Sequence, residues 1–229
     1  GKYISIEKFI AGKPTKEVLP EILSNVIKKI EFEKSMKWSD RTFRFARPIK
    51  WFVTLLGTEV LPFEFEGLKG GNKTRGMRYF APQDVEISNP DEYVSKLREN
   101  SVIARKADRK AEILKSIKEN CENDGDVAII NNYLLEEVVN LVEYPFAIKG
   151  EFNPDYLDLP EDIITITMET HQRYFPVKDA NGRLTNKFIV IRNAPEYSEV
   201  VKKGNEKVIE PRPVSYTHLR AHETDSYLV

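Results

Sequence analysis

Strand-like and helix-like segments alternate along this chain without a fixed repeat. A doubly wound sheet needs a βαβ rhythm, and none is present, so the expected class is α+β, a mixed or antiparallel sheet with packed helices. Lys2–Ile10 sets Tyr3, Ser5, Glu7 and Phe9 against Ile4, Ile6, Lys8 and Ile10, the alternation of a half-buried strand. Gly12-Lys13-Pro14-Thr15 breaks it, with Thr15 as the expected cap of the next helix. There Val18, Ile22, Val26 and Ile30 recur every four residues, with Leu19 and Leu23 beside them, as one apolar stripe.

Pro48–Leu56 and Glu59–Glu66 are β-rich runs joined by Gly57-Thr58, which predicts a hairpin. Pro62 marks the second run as an edge or bulged strand. Gly67–Gly76 holds four of the 11 glycines and reads as a long exposed loop. Asp84–Ile87 reads as a short strand, and Ser88-Asn89-Pro90-Asp91 as a helix start. Helices are expected over Glu92–Asn100, Ala104–Glu122 and Asn131–Glu143. The second of these is highly charged, with a narrow stripe of Ile113, Leu114 and Ile117. Phe146–Lys149 reads as a strand and Pro160–Thr170 as a helix, with strand left open. Gln172–Val177 and Phe188–Arg192 read as strands joined through the turn Asp179-Ala180-Asn181-Gly182.

At 229 residues the chain can bury roughly 70% of its unfolded surface, so it needs no disulfide or metal staple. Cys121 is the single cysteine, which excludes an internal disulfide and suits a reducing, cytoplasmic setting. No apolar run approaches the ~20 residues that span a bilayer, so no membrane role is expected. The opening residues read as the middle of a strand, with an N-terminal portion expected before them. At the other end, Pro213–Thr224 resembles a translated transposase-type sequencing adapter, and residues 213–229 are set aside from fold reasoning. Without them His171 is the only histidine. The net charge is −1, so nucleic-acid binding must come from local patches.

One such patch is written plainly. Lys34, Lys37, Arg41, Arg44, Arg47 and Lys50 share a window in which Asp40 is the only acid, interleaved with Trp38, Phe43, Phe45 and Trp51. Cations on phosphates release counterions, and aromatic rings stack on exposed bases. If Thr42–Arg47 is extended, Arg41, Phe43, Phe45 and Arg47 share one face and Arg44 points oppositely. Gly67–Pro82 adds Lys69, Lys73, Arg75 and Arg78 without an acid. The competing reading pairs these cations with distant acids and places the aromatics in the core. His171 invites a catalytic role, yet no second metal ligand or nucleophile pattern accompanies it, so a buried or hydrogen-bonded histidine is the expectation. Arg173 is a candidate for contact with RNA backbone. Glu136 and Glu143 share a helix face two turns apart, too far for a catalytic dyad. No catalytic residue and no metal site is expected.

Several segments carry a resemblance. They are Met36-Lys37-Trp38 with Phe43–Trp51, Thr74–Phe80, Leu134–Val138 with Val142–Pro145, His171–Val177, and Gly204–Ile209 with Pro211-Arg212. In order and spacing they are similar to the β subunit of the tetrameric bacterial glycyl-tRNA synthetase, over about residues 1–212. The resemblance implies the N-terminal to middle region of that subunit, with residues 90–143 as a helical insertion. It implies a fold like the editing-type module of the phenylalanyl-tRNA synthetase β chain, plus helical additions. Trp38, Gly76, His171, Gln172, Asn205 and Glu206 are the positions that match the family's motifs.

By the same resemblance, glycine activation with ATP and magnesium resides in the separate α subunit, and the β subunit holds tRNA-Gly in an assembly of two α and two β chains. This stretch then needs no cofactor, and alone it is expected to be inactive. Lys37, Arg41, Arg44, Arg47, Lys50, Arg75, Arg78 and Arg173 are the candidate RNA contacts. Met77 stands where the family usually has His, and Ser39 where Gly is common. Two other functions are weighed: a purely structural subunit-interaction domain, and a hydrolytic editing module with His171 as its only plausible base.

Overall fold

The computed structural model describes residues 4, 6–9, 11–39, 42–122 and 124–209. The chain divides into two units, Gly1–Lys96 and Leu97–Val229. Residues 213–229, the segment set aside above, lie outside the described residues.

Among the described residues of the first unit, helix α1 (Thr15–Lys29) is followed by nine short strands. These are β1 (Met36–Lys37), β2 (Arg44–Phe45), β3 (Phe52–Val53), β4 (Leu55–Leu56), β5 (Glu59–Val60), β6 (Glu64–Phe65), β7 (Leu68–Gly71), β8 (Lys73–Arg75) and β9 (Asp84–Glu86). β3, β7 and β6 form a three-stranded sheet in that order, with β3 parallel and β6 antiparallel to β7. β1–β2, β4–β5 and β8–β9 are separate antiparallel pairs. The core contains Leu61, Phe63, Phe65, Met77, Val85 and Ile87.

Three sequence expectations need correction here. The described residues of Lys2–Ile10 form no strand, and Ile4, Ile6 and Phe9 are almost fully exposed. Alternation makes a strand only where a neighbour accepts its hydrogen bonds, and no described strand pairs with this segment. Thr15 is the first helical residue, preceded by Pro14 at the cap position without a side-chain bond. Gly67–Gly76 is largely β7 and β8 rather than a loop. Gly70 serves close packing, since a Cβ there would lie 2.2 Å from Thr54 Oγ1. The Gly57-Thr58 hairpin is present between β4 and β5, and the strand break at Pro62 is seen between β5 and β6.

The helix start at Asn89 closes with a capping box. Its side chain accepts from Asp91 N–H, and Glu92 reaches back to the Asn89 N–H. A 3₁₀ turn then leads into α2 (Tyr93–Glu99).

The second unit sandwiches one sheet between helices. Its strands are β10 (Val127–Ala128), β11 (Pro145–Glu151), β12 (Phe175–Lys178) and β13 (Leu184–Asn193). They lie in the order β10-β12-β13-β11, all antiparallel. Side chains alternate across the sheet, as strand geometry requires. Ala147, Phe175, Val177 and Ile189 meet α3 (Lys106–Glu122) and α4 (Asn132–Leu141) on one face. Ile148, Phe188 and Val190 meet the other face with α5 (Glu161–Ile166), the π-helical turn Thr167–Gln172 and α6 (Ser198–Ile209).

Phe175, Phe188, Ile189 and Val139 are fully buried, each stabilising the fold by about 1.5–3 kcal/mol. Gly150 stands opposite Phe188 on β13, where a Cβ would lie 2.4 Å from the ring, so only glycine fits. The outer edge of β11 is closed by side chains. Ser116 Oγ accepts from Ala147 N–H at 3.0 Å, and Glu206 accepts from Glu151 N–H at 3.1 Å.

Candidate nucleic-acid interface

In the first unit, strand alternation sorts the residues of β8. Thr74 turns inward and is buried, while Lys73 and Arg75 face solvent. Arg75 Nε donates to Asp84 Oδ1 across the β8–β9 pair at 3.0 Å. Thr74 Oγ1 accepts from Trp51 Nε1 at 3.3 Å, which brings the tryptophan alongside β8. The Arg75 guanidinium then lies 5.6 Å from the Trp51 ring, within cation–π range. After β8 the chain turns: Phe80 and Ala81 N–H both donate to the Met77 carbonyl. Met77 is buried beneath this turn, so Arg78 and Tyr79 are exposed, with the guanidinium 6.0 Å from the Tyr79 ring.

A groove of about 400 Å³ results, lined by Lys50, Trp51, Arg75, Gly76, Arg78 and Pro82. A neighbouring hollow of about 190 Å³ adds Lys73 beside Lys50, Trp51 and Arg75, with Asp84 the single acid among its lining residues. Two basic segments separate in sequence thus meet around one half-exposed tryptophan. Trp51 and Arg75 stand 24 positions apart, a separation that no spacing rule detects.

The rest of the basic stripe behaves differently. Arg44 Nη2 donates to the Ser35 carbonyl. Lys37 and Arg47 are exposed and form no ion pair among the described residues, and they do not line the groove. Arg41 lies outside the described residues. The interleaved aromatics are mostly structural: Trp38 Nε1 donates to the Phe45 carbonyl at 2.9 Å, and Phe43 packs edge-on against Phe65 at 4.9 Å. Trp38, Phe43 and Phe45 line a small apolar pocket of about 130 Å³.

In the second unit Arg173, Tyr174, Asn205 and Glu206 act as braces. Arg173 caps the π-helical turn in a left-handed conformation, and its Nε donates to Glu137 Oε1 at 2.7 Å. Tyr174 stacks on Phe188 at 4.6 Å, and its hydroxyl donates to Asn205 Oδ1 at 2.6 Å. Burial pushes that hydroxyl up to about 12. Gln172 is half-buried. His171 is exposed and makes no side-chain hydrogen bond among the described residues, which corrects the expectation of a buried or bonded histidine. It sits near the end of the π-helical turn.

Sequence reasoning also missed a four-charge cluster. Lys149 and Lys187 both bond Asp124 and Asp126, at 2.7–3.2 Å, and Asp126 is buried. Burial works against the Lys149 charge, yet the two carboxylates outweigh it and raise its proton affinity. Among the described residues no group of three or more His, Cys, Asp or Glu side chains is placed to hold a metal ion. No helix among them is long and apolar enough to cross a membrane.

Comparison with known proteins matches residues 1–213 to the glycyl-tRNA synthetase beta subunit family. The chain is 45% identical over 213 residues to the glycine–tRNA ligase beta subunit of Dictyoglomus turgidum, and equally to that of Dictyoglomus thermophilum. It is 40% identical over 212 residues to that of Bacillus subtilis. These alignments take in 92–93% of this chain but only 31% of each relative, so the chain spans about a third of their length. The chain belongs to the glycyl-tRNA synthetase beta subunit family.

Proposed function

We propose that this chain serves a glycine–tRNA ligase as a tRNA-contacting and assembly region of its β subunit. It supplies no catalytic residue. Glycine activation with ATP and magnesium belongs to a partner α subunit, in a cytoplasmic assembly of two α and two β chains, and the glycyl group passes to tRNA-Gly. The proposal carries with it a likeness of fold to the editing-type module of the phenylalanyl-tRNA synthetase β chain.

One observation supports the RNA contact most: Lys50, Arg75 and Arg78 line a single groove around Trp51. Phosphates gain from such cations through counterion release, and the exposed tryptophan offers a stacking surface. The test is a titration of tRNA-Gly at several salt concentrations against the wild type and a Lys50→Ala, Arg75→Ala, Arg78→Ala variant. A shallower salt dependence, by about one unit per lost phosphate contact, is the expected result. Unchanged affinity and slope in a folded variant overturn the RNA contact.

A second reading, a surface for partner-subunit docking, has its own support. On α4 the side chains of Tyr133 and Leu141 are 84% and 58% exposed, although the helix buries Leu134, Leu135, Val138 and Val139. Loss of α-subunit association on Tyr133→Ser with Leu141→Ser, at unchanged tRNA affinity, is what this reading predicts. Unchanged association removes it.

A further inference from the structure

We infer that the groove takes one unpaired nucleotide of an RNA strand, its base beside Trp51 and its phosphates on the cations, rather than a stretch of duplex. The inference rests on the reading that this groove contacts RNA. Its own observation is a second hollow on the same tryptophan, lined by uncharged side chains. That hollow, about 390 Å³, is lined by Trp51, Val53, Leu55, Ile87, Pro90 and Tyr93 among others, and it carries no charged side chain. Its volume lies in the range of pockets that hold small organic groups. The cationic groove of about 400 Å³ opens on Trp51 as well, with Lys50, Arg75 and Arg78. Trp51 therefore joins an uncharged hollow to a positive one.

Duplex backbone explains only half of this arrangement. Phosphates of a helix need cations alone, and paired bases stay stacked within the helix. An unpaired nucleotide offers a flat base with a stacking face, joined through its ribose to an anionic phosphate, and both parts find a matching wall. The tryptophan is held ready for stacking: its Nε1–H is fixed on Thr74 Oγ1 at 3.3 Å, and Arg75 lies 5.6 Å from its ring. Arg75 is itself fixed by Asp84, so the stacking surface and its cation are both set before a ligand arrives.

The test uses the full chain with three probes: a single-stranded dodecaribonucleotide, the matching RNA duplex, and free adenosine monophosphate. Each is titrated against wild type, Trp51→Ala, Trp51→Phe and the Lys50/Arg75/Arg78 alanine variant, with a thermal melt as folding control. The expected result is a preference for the single strand over both other probes. Trp51→Ala weakens it roughly 5- to 150-fold, the range for one lost base–aromatic stack, with the salt slope unchanged. Trp51→Phe retains most of the affinity but loses the quench of tryptophan emission that the strand causes in wild type, which keeps the test decisive if Trp51→Ala fails to fold. Duplex bound as tightly as single strand, with no loss in Trp51→Ala and no quench, overturns the inference while the RNA reading survives if the cation variant still flattens the slope. Free nucleotide bound as tightly as the strand also overturns it, in favour of a mononucleotide site. If the cation variant changes nothing for any probe, the underlying RNA reading fails instead.

Discussion

Two groups of cations, one in each unit, are used in different ways, although the first unit also pairs Lys16 with Glu59 and Arg75 with Asp84. In the second, Lys106 and Lys110 converge on Glu136, Lys149 and Lys187 on Asp124 and Asp126, Lys178 on Glu161, and Arg173 on Glu137. Arg109 spends its guanidinium on the carbonyls of Ile103, Ala104 and Val139. In the first, Lys34, Lys37, Arg47, Lys50, Lys73 and Arg78 are exposed and form no ion pair among the described residues. Charge that is matched within a unit fixes its own elements in place. Charge left facing solvent, with Lys50, Lys73 and Arg78 around a half-exposed tryptophan, costs little to hold and is available to an anionic ligand. A count of basic residues does not separate these two uses; the position of the acids does.

Substitutions should therefore act on binding in one unit and on stability in the other. The largest effect is expected from the combined Lys50→Ala, Arg75→Ala and Arg78→Ala variant. Each lost charge-assisted contact is worth about 1.5–3 kcal/mol, so tRNA-Gly affinity should fall more than a hundredfold at low salt. Its melting temperature should stay near that of wild type, because exposed side chains contribute little to folding. A calorimetric melt beside the binding curve checks both halves of this statement.

Asp126→Ala should do the reverse. It leaves Lys149 and Lys187 with only Asp124, itself half exposed, and should cost about 1–3 kcal/mol in a urea unfolding curve while tRNA affinity holds. A loss of affinity without a loss of stability would break the comparison.

Smaller still is the acid response of Glu136. Hydrogen bonds from Lys106 and Lys110 hold its carboxyl down to about 2, against an ordinary value of 4.5. The native state thus favours the ionised form, and the contribution is complete above about pH 4.5. It is lost as the pH falls towards 2. Melting temperatures between pH 2 and 6 should show a shallower acid decline for Glu136→Gln than for wild type. The smallest change belongs to Arg44→Ala. Its guanidinium already bonds Ser35, so the tRNA salt slope should move by less than one unit.

Much of the second unit is legible in the sequence because its signals are local. Asn131 announces α4 and accepts from the N–H groups of Tyr133 and Leu134. The Asp179–Gly182 turn closes the β12–β13 hairpin, with Asp179 Oδ1 accepting from Asn181 and Arg183. Long-range pairing escapes such reading. Lys187 and Asp126 are 61 residues apart, and nothing near either one names the other.

The first unit misleads for a related reason. Its strands are two to four residues long, too short for period-two alternation to register. Glycine at position 70 signals loop in the sequence but close approach to Thr54 in the fold. The basic stripe was readable as composition, yet among its described cations only Lys50 reaches the groove that Arg75 and Arg78 line. Which aromatic stays exposed was not readable: Phe43 and Phe45 pack on other rings, and Trp51 does not.

Lysine footprinting by rapid acetylation, with and without saturating tRNA-Gly, tests the contrast between the units most directly. Without RNA, Lys50 and Lys73 should label quickly and Lys149 and Lys187 slowly, because only the latter pair is engaged by carboxylates. With tRNA-Gly bound, Lys50 and Lys73 should become protected while Lys149 and Lys187 keep their rates. Unchanged labelling of Lys50 and Lys73 at saturation would contradict the account.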